Sequence, residues 1–315
     1  MKKHNILHNV TIELLNYCNS ACIHCYLQNT IPQENKFENV LKIIDQSVEA
    51  GAMQITLTGG EPLLHPKIVE IIKYIKSKGV AINLLTSLNV KRGEWFECIS
   101  LCDKVGVSLY GGSKNIHDQI TRINGSFDNM RDNLNYLISK KVFVTLNITI
   151  MNENVDDVSN MINFAKQTTE QYRLNYFLHG TMSQKHQIGY DKIRSLKKML
   201  ISNDNTNTLS EQFKCTAGSS SLWVDTDLNV FPCVFFRKQI GNLFNQTLLD
   251  IWNNSDVLSI IKQTSNTDFK KCQACELKYI CNPCIGENYN ANGDITLPCN
   301  FSCRVGEYNK CLMEC

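Results

Sequence analysis

The sequence predicts an α/β fold: an open, partial (β/α)6 barrel of TIM type, followed by a small cysteine-rich domain. Three observations predict it. Apolar runs of strand type alternate with amphipathic helical stretches through the first two-thirds of the chain, and such repeats imply parallel strands joined by crossover helices. Six strand–helix units fall short of the eight that close a full barrel. The fifteen cysteines are also uneven, with three at 18–25, two at 98 and 102, and ten after residue 214. That pattern is of a two-part protein with metal-type chemistry at both ends.

Taken in order, residues 11–15 read as the first strand and 40–50 as a helix with Leu41, Ile44 and Val48 on one face. Residues 54–58 form the second strand, which ends in Gly59-Gly60-Glu61-Pro62. A helix at 68–78 is stopped by Gly79, suited to the left-handed position after a helix end. Strands follow at 80–85, 104–109, 142–150 and 174–178, with helices at 95–102, 127–140 and 155–166 between them. After a polar loop and a basic helix at 192–201, Asn203-Asp204-Asn205-Thr206-Asn207-Thr208 is polar and turn-prone. The domain boundary is placed there, giving parts 1–207 and 208–315. Beyond it, 221–224 and 230–236 read as a hairpin around Asp225 to Asn229, 243–263 as one amphipathic helix carrying Trp252, and the remainder as a turn-rich cysteine tail.

Bulk properties exclude several classes. A formal net charge of +2 over 315 residues, with scattered lysines, is too small for a nucleic-acid footprint. No apolar run reaches the roughly 18 residues of a membrane span, and the first ten residues lack the apolar core of a secretory signal. The expected location is cytoplasmic. There thiols stay reduced, so the cysteines are expected to be metal or cluster ligands rather than disulfides.

The stretch Cys18-Asn19-Ser20-Ala21-Cys22-Ile23-His24-Cys25-Tyr26 puts three thiols in a C-x3-C-x2-C array on one loop after strand one. Three thiolates can grip three corners of a [4Fe–4S] cluster and leave one iron open. Zinc is the alternative, with His24 as a fourth ligand, although adjacent to Cys25 it is poorly placed to reach round the same ion. Gly59 and Gly60 allow the main chain to bend sharply and approach a ligand closely. Glu61 is then expected to be available to a cationic group; the alternative is a tight turn with a solvated carboxylate. The cysteine loop, Gly59 to Pro62 and Ser108 at the end of strand four all fall on the C-terminal rim of the strands, where ligands of such folds gather. Tyr110 and His117 lie near that rim, and no catalytic role is assigned to either. Cys98 and Cys102, four apart on a core-facing helix, read as buried small hydrophobes.

The cysteine array with Tyr26 behind it, followed by Gly-Gly-Glu-Pro after the next strand, resembles the radical S-adenosylmethionine superfamily. The resemblance implies that Cys18, Cys22 and Cys25 hold the cluster and that S-adenosylmethionine chelates the open iron. It further implies that Gly59, Gly60, Glu61 and Pro62 receive the methionine amine and that Ser108 contacts the ribose or carboxylate. Arg122 matches an arginine whose planar fork suits a carboxylate, the alternative being a surface ion pair. The tail array of Cys215, Cys233, Cys272, Cys275, Cys281, Cys284, Cys299, Cys303, Cys311 and Cys315 would alone suggest a zinc ribbon. In this company it is similar to the SPASM extension, which holds auxiliary [4Fe–4S] clusters. The runs Trp223-Val224-Asp225, Phe231-Pro232-Cys233, Ile240-Gly241-Asn242-Leu243 and Asp250-Ile251-Trp252 agree.

By position, the resemblance assigns Cys272, Cys275, Cys281 and Cys303 to a second auxiliary cluster, and Cys215, Cys233 and Cys284 to the first. Cys303 is preferred to Cys299 because of its Cys-Arg-Val-Gly context. Three departures stand out. Leu228 occupies a hairpin position where glycine is usual, the Cys281–Cys284 spacer is one residue short, and a fourth first-cluster cysteine is missing. That cluster either keeps an open iron or borrows Cys299, Cys311 or Cys315. The implied reaction cleaves S-adenosylmethionine to methionine and a 5′-deoxyadenosyl radical that takes a substrate hydrogen. It draws on an electron donor such as flavodoxin or ferredoxin, and auxiliary clusters can take an electron back. A ribosomally made peptide is the expected substrate, for crosslinking, dehydrogenation or epimerisation. The alternatives are an aminosugar or amino-alcohol and, more distantly, a non-catalytic zinc or iron–sulfur protein. The sulfatase-maturing branch carries an aspartate after the cysteine matching Cys233, where this chain has Val234. The chain begins directly at strand one, so a peptide substrate is expected to need a separate leader-binding protein, a short recognition sequence or a groove in this chain.

Overall fold

The computed structural model of the protein describes residues 6–27, 30–169, 171–180, 184–203 and 215–313. Six parallel strands, β1 (Asn9–Glu13), β2 (Gln54–Thr58), β3 (Ala81–Thr86), β4 (Lys104–Leu109), β5 (Val144–Thr149) and β6 (Tyr172–Asn175), lie side by side in sequence order. Between them run α1 (Phe37–Glu49), α2 (Ile68–Ser77), α3 (Trp95–Cys98), α4 (Lys114–Thr121), α5 (Ser126–Ser139) and α6 (Val158–Thr168). The sheet stays open, with β6 at one end of the strand order. This is the partial barrel that the strand–helix alternation predicts.

Strand alternation decides the two faces. Val10 and Ile12, Ile55 and Leu57, Ile82 and Leu84, and Val105 and Val107 are sealed beneath the helices, with Ile71, Ile72 and Ile75 of α2 among their cover. Each such side chain contributes about 2 kcal/mol on burial. The opposite parity is polar. Thr56 Oγ1 and Gln54 Nε2 donate to Asn9 Oδ1 at 2.8 and 3.1 Å, and Asn83 Nδ2 donates to Thr56 Oγ1 at 3.3 Å. A barrel with a polar inner face is a binding surface rather than a second core.

The expected hairpin is present as β7 (Ser221–Val224) and β8 (Asn229–Phe231), but it does not stand apart. β7 pairs in parallel with β1, Thr11 opposite Trp223, so one nine-stranded sheet runs through to β9 (Gly241–Asn242). The linker region at 204–214 lies outside the described residues. Leu228 takes the left-handed conformation (φ 62°) that its turn position requires, and its side chain is buried. Packing thus outweighs the roughly 1–2 kcal/mol cost of a non-glycine residue there.

β6 is followed by α7 (Tyr190–Asn203), and three differences from the sequence expectation stand out among the helices. The helix expected over 243–263 is two, α8 (Leu248–Asn254) and α9 (Asp256–Gln263), because Thr247 and Ser255 each turn a side-chain oxygen to a helix-start amide. The stretch 95–102 is a short helix, α3, continued by a 3-10 turn. The tail read as turns contains α10 (Lys270–Gln273), α11 (Ile285–Asn292) and α12 (Asn300–Met313), whose cysteines and small polar residues mask the helical period. No helix of the described residues is long and apolar enough to cross a membrane.

Candidate cofactor and cluster sites

The cysteine loop leaves β1 through buried Leu14 and Leu15 and crosses the strand ends. The end of α4 clamps it: Ala21 N donates to Thr121 O and Ile23 N to Ile120 O, each at 3.0 Å. These are carbonyls that a helix terminus leaves unpaired. Asn89 receives the loop on the other side, through Asn19 Nδ2 to its carbonyl and its own Nδ2 to Ser20 Oγ at 3.1 Å. Ser20 N points at Cys18 Sγ (3.3 Å) and Leu27 N at Cys25 Sγ (3.4 Å). Burial pushes the Cys18 thiol up to about 11, and burial with the charges of Cys18 and Cys25 pushes Cys22 up to about 12. Three half-buried thiols that oppose one another's ionisation, with amides aimed at two of them, form an anion site completed by a cationic centre. An iron–sulfur cluster fits that donor set.

Gly59-Gly60-Glu61 is zipped onto this loop. Gly60 N donates to Leu15 O (2.8 Å) and Glu61 N to Tyr17 O (3.1 Å). A Cβ on Gly60 would stand 1.8 Å from Tyr17 O, and one on Gly59, at φ 143°, 2.2 Å from Leu15 O. Only glycine permits this approach. Among the described residues the carbonyls of Gly59 and Gly60 accept no backbone hydrogen bond, so they are open to a donor. Pro62 begins a short buried 3-10 turn.

The expectation for the Glu61 side chain is corrected. Its carboxylate is wholly buried and accepts from Thr86 Oγ1 (2.6 Å), Ser87 Oγ (2.6 Å), Ser87 N (2.8 Å) and Leu63 N (3.2 Å). Burial raises its pKa while these donors pull it back. The group ties the end of β3 to the glycine turn and has no lone pair to spare for an incoming cation, so any ligand contact of Glu61 falls to its main chain.

Ser108 is half-buried on β4, and its hydroxyl meets that of Tyr110. Tyr110 is buried, its hydroxyl held protonated by burial and by the neighbouring thiols, Cys22 foremost. The His24 ring packs edge-on against it at 4.8 Å. Burial lowers His24 to about 4, which keeps the ring neutral. Arg122 caps α4 in the left-handed conformation (φ 57°), exposed, one residue beyond the carbonyl that holds Ala21. Among the described residues it makes no hydrogen bond or ion pair, so the surface pair considered for it is not formed.

The tail thiols fall into two sets. Cys272, Cys275, Cys281 and Cys303 act on one another electrostatically, Cys281 being pushed up to about 11 by burial and then by the other three. Gly306 lets α12 come this close, since a Cβ there would stand 3.1 Å from Cys281 Sγ. Cys215, Cys233 and Cys284 form the other set, Cys233 pushed to about 11 and Cys284 to about 12, in each case first by burial. Cys299 Sγ turns to Ser302 Oγ at 3.7 Å, and Cys311 packs on the core. Cys315 lies outside the described residues. Cys98 and Cys102 are buried. Among the described residues no three His, Cys, Asp or Glu side chains close round a single-ion position.

Sequence reasoning missed what joins these sets. The Tyr26 ring meets Phe235 edge-on (6.2 Å), and Phe235 stacks on His179 (4.6 Å), which faces Glu287 at 3.7 Å. Burial raises Tyr26, and the charge that acts on it most is that of Glu13, a buried carboxylate at the end of β1. A charged residue on the parity of Asn9 and Thr11 was the readable signal for Glu13. Nothing local links Tyr26 to Phe235.

Comparison with known proteins matches this geometry. The radical SAM superfamily profile covers residues 12–165, and the SPASM profile, an iron–sulfur cluster-binding domain, residues 215–276. An AdoMet-dependent heme synthase of Methanosarcina barkeri is 24% identical over 90% of this chain and 92% of its own length. The antilisterial bacteriocin subtilosin biosynthesis protein AlbA of Bacillus subtilis is 23% identical over 90% of this chain and 68% of its own. Streptococcus suis SuiB bound to S-adenosylmethionine superposes with a TM-score of 0.76 at 17% identity, covering 96% of this chain and 79% of SuiB; at that identity the likeness is one of fold. The chain belongs to the radical SAM superfamily and carries a C-terminal SPASM domain, an enzyme family of [4Fe–4S] clusters, S-adenosylmethionine and auxiliary clusters.

Proposed function

We propose that this enzyme modifies a peptide oxidatively. In this reading Cys18, Cys22 and Cys25 hold the cluster that S-adenosylmethionine completes. The open Gly59 and Gly60 carbonyls accept its ammonium group, Ser108 meets its ribose or carboxylate, and Arg122 pairs with the carboxylate. When bound, the reduced cluster and S-adenosylmethionine supply the 5′-deoxyadenosyl radical that takes a hydrogen atom. Cys272, Cys275, Cys281 and Cys303 hold one auxiliary cluster, and Cys215, Cys233 and Cys284 the other, with one iron left for a further ligand. The observation behind the oxidative part is that Cys215, Cys233 and Cys284 act on one another as a second thiol set, while Phe235, two residues after Cys233, meets Tyr26 of the cysteine loop. In this reading an electron acceptor lies beside a radical source.

The peptide part is supported by the relatives. AlbA is named for bacteriocin biosynthesis, and SuiB has also been solved with its precursor peptide SuiA. A tetrapyrrole is the second reading, favoured by the heme synthase that matches over nearly its whole length. Anaerobic reconstitution with iron and sulfide, then dithionite and S-adenosylmethionine, tests the enzyme. Brown protein that forms 5′-deoxyadenosine, and loses that ability in Cys22→Ala, is expected; colourless protein with stoichiometric zinc would overturn the reading. Deuterated short peptides encoded beside the gene, set against an iron porphyrin, separate the two substrate classes by which one passes deuterium into 5′-deoxyadenosine.

A further inference from the structure

His179 is left unused by this scheme, although it touches both parts of the chain. It lies four residues beyond β6, on the rim of the parallel strands that also carries the cysteine loop. Leu178 before it is buried in a cluster with Tyr110, Ile120 and Met151, against which Cys22 and Ile23 pack. The imidazole stacks on Phe235 at 4.6 Å with an interplanar angle of 18°, and Phe301 of α12 packs on it at 4.9 Å. Phe235 in turn meets Tyr26, the residue after Cys25, at 6.2 Å. Aromatic neighbours thus fix the ring two ring contacts away from the cysteine loop.

Its two ring nitrogens differ in their surroundings. Nδ1 is enclosed and faces Glu287 Oε1 of α11 at 3.7 Å. The same oxygen accepts from Gly180 N at 3.1 Å, where a left-handed φ of 87° turns the chain back. Only 13% of the Glu287 side chain is accessible, so the carboxylate is held by protein rather than by solvent. Nε2 is not enclosed, and among the described residues it makes no hydrogen bond. A carboxylate opposite Nδ1 favours the proton there and leaves the Nε2 lone pair to accept another. The separation is longer than a hydrogen bond, as such contacts often are before a substrate fills the site. His186 shows the contrast. Its Nδ1 bonds Glu153 Oε1, but its Nε2 is enclosed, which closes that ring to a substrate.

We propose that His179 is the residue that accepts the substrate's second proton in the oxidative reaction, with Glu287 holding its ring for the task. This rests on the oxidative reading above and deepens it. The 5′-deoxyadenosyl radical takes a hydrogen atom from a substrate C–H bond, forming 5′-deoxyadenosine and a substrate radical. The second proton leaves a neighbouring C–H, N–H or S–H for His179 Nε2, and the second electron passes to an oxidised auxiliary [4Fe–4S] cluster. The substrate gains one bond for the two it loses, and the two-electron, two-proton balance closes. The imidazolium so formed stands opposite the Glu287 carboxylate, whose charge favours it.

The test gives full-length reconstituted enzyme S-adenosylmethionine, dithionite and the deuterated peptide encoded beside the gene. The ratio of oxidised peptide to deuterated 5′-deoxyadenosine should fall about 100-fold in His179→Gln, the lower end of what a positioned base contributes. In His179→Ala, added imidazole should restore oxidised peptide, a recovery that a merely structural side chain would not show. A readout independent of turnover serves if these variants fail to fold. Diethyl pyrocarbonate should carbethoxylate His179 in the wild-type enzyme with S-adenosylmethionine, read by mass mapping, and the peptide should suppress this several-fold. An unchanged ratio, no recovery with imidazole, or carbethoxylation that the peptide leaves unsuppressed would overturn the role of His179 alone. Wild-type enzyme that passes no deuterium from the peptide would overturn the peptide reading and this role with it.

Discussion

Replacing Gly60 with alanine tests how closely the second strand must approach the cysteine loop. The added Cβ would lie 1.8 Å from Tyr17 O, 2.3 Å from Tyr17 C and 3.0 Å from Cys18 N, against the roughly 3.5–4.0 Å of a comfortable contact. All three are backbone atoms, so no rotamer change relieves the clash and the two segments must part by about 1.5 Å. Gly60 has no left-handed φ, and the contact alone carries the penalty. Separation also strains the Gly60 N–Leu15 O and Glu61 N–Tyr17 O bonds. Overpacking costs about 1–3 kcal/mol and each of the two weakened bonds about 1 kcal/mol, giving roughly 3–5 kcal/mol in all. The chemical penalty is larger, because misplacing a reacting group by about 1 Å costs about 100-fold in rate. Anaerobic thermal unfolding should show the stability loss, and chromatography of 5′-deoxyadenosine under dithionite a fall of about 100-fold or more. Cleavage within a few-fold of wild type would refute the argument that this contact positions the cofactor.

Other perturbations separate the remaining roles. Glu61→Gln replaces one acceptor oxygen by a donor facing Thr86 or Ser87 and should cost about 1–3 kcal/mol in urea unfolding; an unaffected midpoint would mean the carboxylate holds nothing. Glu13 titrates near 7 when folded against 4.5 for the free group, so its destabilising effect is absent below pH 4.5, grows as pH rises and is complete above 7. Relative to wild type, Glu13→Gln should therefore gain on the order of 3 kcal/mol between pH 4 and pH 8, and denaturant titrations at both values check the sign. Cys303→Ala should lose one cluster's complement of iron by elemental analysis, whereas Cys299→Ala, whose thiol faces Ser302, should keep it. Arg122→Ala removes an exposed, unpaired guanidinium, so melting should be unchanged while the Kd for S-adenosylmethionine rises several-fold.

Much of the architecture is legible in the sequence because it is written at short range. The period-two alternation of residues 54–58 and 104–109 specifies β2 and β4 to the residue, and Cys18, Cys22 and Cys25 announce their chemistry by spacing alone. Helices such as α11 and α12 escape this reading because cysteine, glycine and asparagine interrupt their few apolar positions, of which Phe301 and Tyr308 are buried. The break between α8 and α9 escapes it because Ser255 and Thr247 act as caps only once the chain turns there.

What the tertiary structure alone decided are relations between residues far apart in the chain. Pairing β7 with β1 joins Ser221 to Asn9 and makes one sheet of two sequence-defined parts. Glu61, which reads as an open carboxylate, is closed by Thr86 and Ser87 from the next strand. Cys303 comes within electrostatic reach of Cys275 and Cys281, and Glu13 within that of Asp225 and Arg237. Residue type and spacing determine what a side chain can do, since covalent geometry and local periodicity act over a few residues. Which partner, burial and charge it meets depends on long-range packing, and here that separates a structural carboxylate at Glu61 from a titratable one at Glu13.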